Sequence, residues 1–205
     1  MRLYYAPGTC ALAPHIVLEW IGVAYEAERV DPSSDAYRRI NPLSMVPALQ
    51  DGGPKVMTQA DAILKYIAAK YTEAGLGAGE GLDAEFEMDE MLAFLTGDMH
   101  PAFWPFFAPQ RYTTKGDAES LTAVREAAYP RIDCAMLHLD TMLTGSHHVV
   151  GGRRSIADPY AFAMGRWTEN LPKTWRHYPA IRPFMDRMYE DVCVAKVMAV
   201  QGLKL

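Results

Sequence analysis

The sequence predicts an α/β domain of order β-α-β, then a turn or short helix, then β-β-α, followed by an all-helical domain. Three observations carry this. Residues 2–30 show strand, turn, helix and strand signals in succession. Two short apolar runs flank Gly52-Gly53, and beyond about residue 83 apolar residues keep helical spacing. Between the two patterns lie Gly75, Gly77, Gly79 and Gly81, the most linker-like segment of the chain. The expected division is an α/β domain over 1–74, a linker over 75–82 and a helical domain over 83–205.

In order, Arg2 to Tyr5 is a strand, Ala6 to Thr9 a turn marked by Pro7-Gly8, and Ala11 to Gly22 a helix with Leu12, Ile16 and Trp20 on one face. Val23 to Val30 is a second strand, and so short a crossover makes the pair parallel. Residues 32–40 are polar and turn-rich, closed by Asn41-Pro42. Residues 45–50 and 55–58 form a hairpin about Gly52-Gly53, with Pro47 at a strand start, where a missing N–H is tolerated. Asp61 to Tyr71 is a helix. In the helical half, Met88, Met91, Leu92, Leu95 and Met99 follow a helix from about Asp83 toward Phe107, interrupted at Pro101 and Pro105. A second long helix spans about Asp117 to Leu143, with a kink expected at Pro130. Ser155-Ile156-Ala157-Asp158 is a capping box ahead of an apolar stripe at Ala157, Tyr160, Ala161 and Met164. Two shorter helices follow.

The 205 residues suffice for one large domain or two small ones with a proper core, and 50% hydrophobic with 22% charged residues is ordinary for a soluble globular chain. The net charge of −5 contains no basic block, which argues against nucleic acid and makes any anion site local. Cys10, Cys134 and Cys193 are widely spaced, with no metal-type pair and no disulfide framework, so a reducing cytoplasm is expected. Ala11-Leu12-Ala13 imitates a signal-peptidase site, but Pro7-Gly8 breaks the segment before an apolar stretch develops. No membrane span is expected either.

Cys10 stands at the first residues of a helix, just past a tight turn. Unpaired N–H groups there stabilise a thiolate and are expected to lower the thiol pKa below about 8.5. The alternative is a small buried apolar residue. His147-His148, adjacent in a loop, point apart, and no metal is expected. Phe103, Trp104, Phe106, Phe107 and Tyr112 are either core and dimer contacts or the wall of an apolar ligand pocket.

Over its whole length the chain resembles the cytosolic glutathione transferases, most closely the bacterial beta class. The likeness is carried by Leu3-Tyr4-Tyr5, Pro7-Gly8-Thr9-Cys10, residues 13–19, Ile40-Asn41-Pro42, Val46-Pro47-Ala48-Leu49, residues 58–63, His100, residues 155–158 and Gln201-Gly202-Leu203. It implies a thioredoxin-like N-terminal domain followed by an all-helical domain, the glutathione transferase fold. It also implies a cis bond before Pro47 and pairing of the Val46 backbone with the cysteinyl part of glutathione, as in strand addition. Thr9, Met45 and Pro47 then lie along the tripeptide, and Gln59 and Ala60 hold its γ-glutamyl end at a helix N-terminus. Cys10 is placed near the glutathione sulfur, to form a mixed disulfide or help hold a thiolate. Tyr5 is a competing catalyst, because many members use a tyrosine at the end of the first strand. Its alternative is a half-buried strand aromatic. His100 leans toward the active site of a homodimer as catalyst or site-shaper, or else is an interface histidine. Gln59-Ala60 departs from the usual Glu followed by Ser or Gly, Ala11 from serine, Pro101 from lysine and Ala93 from asparagine.

The function expected is therefore that of a cytoplasmic glutathione S-transferase of detoxification type, with glutathione as co-substrate and no cofactor. It activates the thiol for attack on a small apolar electrophile held by Phe103, Trp104, Phe107 and Tyr112. The alternatives are a glutathione-dependent thiol–disulfide reductase acting through Cys10, and a non-catalytic ligand carrier or docking protein on the same fold.

Overall fold

The computed structural model describes residues 1–204. Its N-terminal part contains β1 (Arg2–Tyr5), α1 (Leu12–Ile21), β2 (Glu26–Arg29), α2 (Asp35–Ile40), β3 (Ala48–Gln50), β4 (Val56–Thr58) and α3 (Ala60–Lys70). The sheet order is β2-β1-β3-β4. β1 pairs parallel with β2, Leu3 facing Ala27, and antiparallel with β3, Leu3 facing Leu49. β3 and β4 form the expected antiparallel hairpin. Leu3, Tyr4 and Tyr5 are all buried, because the central strand is covered on both faces. β2 is shorter than expected. It is an edge strand with mostly exposed residues, and only Glu26–Arg29 follow β1.

The helical part contains α4 (Leu82–Phe94), α5 (His100–Phe107), α6 (Ala118–Met142), α7 (Ala157–Trp167), α8 (Ile181–Glu190) and α9 (Val192–Gln201). α1 packs on α3 within its own domain and on α7 and α9 of the helical domain. One continuous apolar core therefore runs from Leu3 and Leu49 through Ile16 and Val17 to Phe162 and Met198. A smaller cluster of Tyr4, Tyr5, Ala11, Tyr37, Val46 and Ala48 forms a second layer.

Three local outcomes refine the sequence reading. The interruption of the first long helix falls before Pro101 rather than on it: Leu95–Met99 make a π-helical turn, and the His100 N–H bonds the Leu95 carbonyl. Pro101, which has no N–H to give, then sits in the first turn of α5, where none is needed. α6 continues through Pro130, which is exposed, as is Glu126 four residues earlier, so the carbonyl left without a donor lies on the solvent side of the helix. Half of the capping box forms: the Ser155 N–H donates to Asp158 Oδ2 at 2.7 Å, while Ser155 Oγ accepts from Ala157 rather than from Asp158. The fully buried Asp158 carboxylate also accepts the Val149 N–H at 3.0 Å and meets His148 Nδ1 at 3.2 Å. The glycine-rich segment is pinned to the start of α7, with the Ile156 N–H on the Leu76 carbonyl and the Arg153 guanidinium on the Gly75 and Gly77 carbonyls.

Candidate active site

Between the two domains lies a cleft of about 370 Å³, lined by Pro7–Cys10, Pro32 and Ser44–Val46 on the sheet side and by His100, Phe107 and Trp167 on the helical side. A groove of about 410 Å³ between α3 and α4, along the glycine-rich segment, contains no histidine or cysteine.

The sheet-side wall is main chain held in place by distant side chains. Gly8, at φ +72°, takes the turn that β1 needs before α1. Its N–H donates to Gln201 Oε1 at 3.1 Å and its carbonyl accepts from Trp167 Nε1 at 2.8 Å. The Gln201 amide meets His15 Nδ1 at 3.1 Å, and the His15 ring packs between Tyr5 and Tyr25. Burial pushes His15 down to about 4, with Glu19 opposing. Thr9 Oγ1 donates to the Ala6 carbonyl and accepts the Ala11 N–H, closing the turn. In the second loop the Met45 carbonyl accepts from both Asn41 Nδ2 and the Tyr37 hydroxyl at 2.7 Å, ahead of a cis Val46–Pro47 bond.

Cys10 is 6% exposed, and its Sγ donates to the Val46 carbonyl at 3.4 Å. Burial pushes the thiol up to about 12, outweighing the backbone N–H groups of Cys10 and Ala11 that pull it down. This corrects the expected lowering. The sulfur does stand at the helix start, but enclosed by the loop, and two N–H dipoles do not replace lost hydration.

The helical wall is aromatic. His100 packs on Trp167 at 4.8 Å and edge-on to Trp104 at 5.9 Å, and burial pushes it down to about 4. Its Nδ1 lies 3.5 Å from the Tyr160 hydroxyl, which also receives Thr96 Oγ1 at 3.3 Å. Phe107 stacks on Phe103 and meets Trp167 edge-on at 5.3 Å.

The fold thus brings Cys10, Thr9, Met45, Val46, His100 and Phe107 to one cleft, with Pro47 next in the chain. It does not bring Tyr5 there: that ring is 4% exposed, packed on His15 away from the lining. Phe103 is buried beneath Phe107, and Trp104 and Tyr112 face solvent outside the cleft. Gln59 and Ala60 open α3 beyond the cleft lining, Gln59 exposed and Ala60 buried. Gln59 at φ +71° and Ser44 at φ +56° are the non-glycine residues in left-handed backbone among those described. Such outliers concentrate at ligand sites. Trp167, Tyr37 and Asn41 carry no mark of a site in the sequence, and Tyr160 reads there only as core. Each looks like an ordinary apolar or capping position until the fold closes.

A thioredoxin-like sheet domain with a helical domain closed over its first helix start and its cis-proline loop defines the architecture of the glutathione transferases. Residues 1–69 match the family model described as glutathione S-transferase, N-terminal domain. The chain is 32% identical over 206 residues to glutathione S-transferase GST-4.5 of Xanthomonas campestris pv. campestris, covering 99% of this chain and 100% of that protein. The structure matches a bacterial beta class glutathione S-transferase of Sphingomonas chungbukensis with a TM-score of 0.88 at 30% identity, covering 100% of both chains. It also matches a sphingomonad glutathione S-transferase complexed with glutathione, with a TM-score of 0.86 at 30% identity, again over 100% of both chains. The chain belongs to the glutathione S-transferase family.

Proposed function

We propose that this protein is a glutathione transferase that binds glutathione along the Val46 edge and activates its thiol for attack on a small apolar electrophile. One observation carries the reading: the cleft joins the Val46 peptide edge and the Cys10 thiol on one side to an apolar aromatic wall on the other. The Val46 main chain offers the tripeptide strand-like pairing. The first N–H groups of α3, at Gln59-Ala60, are a ready receptor for the γ-glutamyl carboxylate. Cys10, which keeps its proton, turns its S–H from the Val46 carbonyl to the glutathione thiolate, which releases that carbonyl to the tripeptide, and His100 serves as a second donor from the opposite wall. An electrophile resting on Phe107 and Trp167 is then held beside the sulfur, so that the attack is effectively intramolecular. A raised thiol suits this donor role better than nucleophilic attack by Cys10, which ranks conjugation above disulfide reduction.

The reaction needs glutathione as co-substrate, no metal and no further cofactor. We also propose a cytoplasmic homodimer acting in detoxification. Leu82 and Phe86, 79% and 63% exposed on α4, supply apolar surface for the partner, and no helix among the described residues is long and apolar enough to cross a membrane. Calorimetry with glutathione and turnover of a dinitrohalobenzene test the reading. Micromolar to millimolar binding with measurable conjugation is expected. Absence of both at millimolar glutathione would leave a docking or carrier protein. Sedimentation at twice 22.9 kDa is the expected result for the dimer.

A further inference from the structure

Tyr160 is 1% exposed, and its hydroxyl is not used by the proposed reaction. It sits in the first turn of α7, behind the aromatic wall, with two polar partners from the other side of the core: Thr96 Oγ1 at 3.3 Å and His100 Nδ1 at 3.5 Å. Both partners belong to the stretch where α4 gives way to α5 through the π-helical turn at Leu95–Met99. Isolated π turns are uncommon and cluster at functional sites. Here the turn carries Thr96 and leads directly into His100, and both side chains converge on one hydroxyl.

Proton accounting gives that convergence a direction. A buried hydroxyl proton needs an acceptor. Thr96 donates to the Tyr160 oxygen, so the Tyr160 proton is left with His100 Nδ1 as its acceptor. The titratable groups facing Tyr160 besides His100 are Cys10 and Asp61. Burial first, then Cys10, and last Asp61 push Tyr160 ionisation up against the Thr96 hydrogen bond, so the hydroxyl keeps its proton to give. His100, held neutral by burial, has one nitrogen that accepts and one that donates. Its Nε2 has no hydrogen-bond partner among the described residues, yet it is not among the sealed unpartnered atoms, of which Asp61 Oδ1 is the one found. That nitrogen is therefore accessible, and His100 lines the cleft.

We propose that Tyr160 is a positioning residue that fixes the tautomer of His100, holding the proton on Nε2 and presenting an N–H donor across the cleft from Cys10. The inference rests on the transferase reading for its use, since the donor is aimed at the glutathione sulfur, but its geometry stands without it. An imidazole free to exchange tautomers would present a lone pair to a thiolate for part of the time, and the two repel. With Nδ1 occupied, donors from both walls, the Cys10 S–H and the His100 N–H, meet one anionic sulfur. Charge-assisted hydrogen bonds of this kind are the strong ones.

The test is a two-bond nitrogen–proton correlation spectrum of the full-length protein labelled with ¹⁵N-histidine, recorded at neutral pH without glutathione. The His100 signals are picked out from the 6 histidines by their loss in His100→Gln. Wild type should show the Nε2–H tautomer. Tyr160→Phe, which keeps the ring and loses the hydroxyl, should show a mixture of tautomers. Its kcat for conjugation should fall about fivefold, the worth of one neutral hydrogen bond, with KM for glutathione within about twofold of wild type. Thr96→Val should leave the tautomer unchanged. An Nδ1–H tautomer in wild type, an unchanged spectrum in Tyr160→Phe, or a shifted tautomer with unaltered kcat would each overturn the proposal. Because the spectra need no ligand, failure of glutathione to bind would sink the transferase reading while still leaving the tautomer assigned.

Discussion

The two walls of the cleft are made of different materials. On the sheet side the lining includes the main chain of Gly8, Met45 and Val46, and side chains such as Gln201, Asn41 and Tyr37 act from behind to hold it. On the helical side the exposed chemistry is rings, at His100, Phe107 and Trp167, and main chain serves only to carry them. The difference suits the two ligands of the proposed function. A constant peptide is best read by a constant backbone edge, which substitution cannot erase. A variable apolar partner is best read by side chains, which can change without disturbing the sheet.

Acid should break both walls at once and give the largest effect. Folded His15 and His100 stay neutral down to about 4, whereas unfolded imidazoles protonate near 6.5. In that window the unfolded chain binds more protons, so their contribution is fully present above pH 6.5 and is lost as the pH falls toward 4. The loss approaches about 1.4 kcal/mol per pH unit for each imidazole. Urea unfolding at pH 7 and pH 5 measures it, and His15→Gln should remove the sheet-side share. Equal stability at the two values would contradict the burial assigned to both rings. Next, Asp158→Ala should strip the helical wall of its anchor. Two buried N–H groups, of Val149 and Ser155, lose their acceptor, for about 3 kcal/mol of stability. A loss under about 1 kcal/mol would mean that water replaces the carboxylate.

Gly8→Ala sharpens the comparison from the sheet side. It forces a side chain into φ +72° with Leu203 at 3.4 Å from the new methyl, for about 1–2 kcal/mol and a raised KM for glutathione. Smallest in stability, about 1 kcal/mol, is Trp167→Phe. It keeps an aromatic wall but removes the indole bond to the Gly8 carbonyl. If the walls are functionally separate, Trp167→Phe should raise KM for glutathione and leave KM for the electrophile nearly unchanged. The reverse result would show that the indole serves the helical side alone.

Legibility in the sequence follows the same division. The sheet side is readable because its signals are local: Pro7-Gly8 dictates a turn, Gly52-Gly53 a hairpin, and Leu12, Ile16 and Trp20 a helix face, each within a single turn or element. The helical side was readable as helices but not as a wall. Tyr160 occupies a core stripe whatever its hydroxyl does, and Trp167 ends a helix with no local mark of its role. The Phe103 to Tyr112 cluster illustrates the limit: Phe107 reaches the cleft while Phe103, one turn away, is wholly buried and Tyr112 lies outside. Spacing along one helix cannot rank rings by depth when the deciding surface comes from another. Cys10 failed in the opposite sense. Its place at a helix start was right, but its acidity depends on enclosure by a loop some 36 residues on.

Gly8 takes its amide partner from Gln201, 193 positions later. During synthesis everything from Gly8 to Gln201 must leave the ribosome before the first loop can acquire this support. A nascent chain arrested short of that point carries the tripeptide-facing edge but not the brace that settles it, so competence for chemistry arrives late and all together.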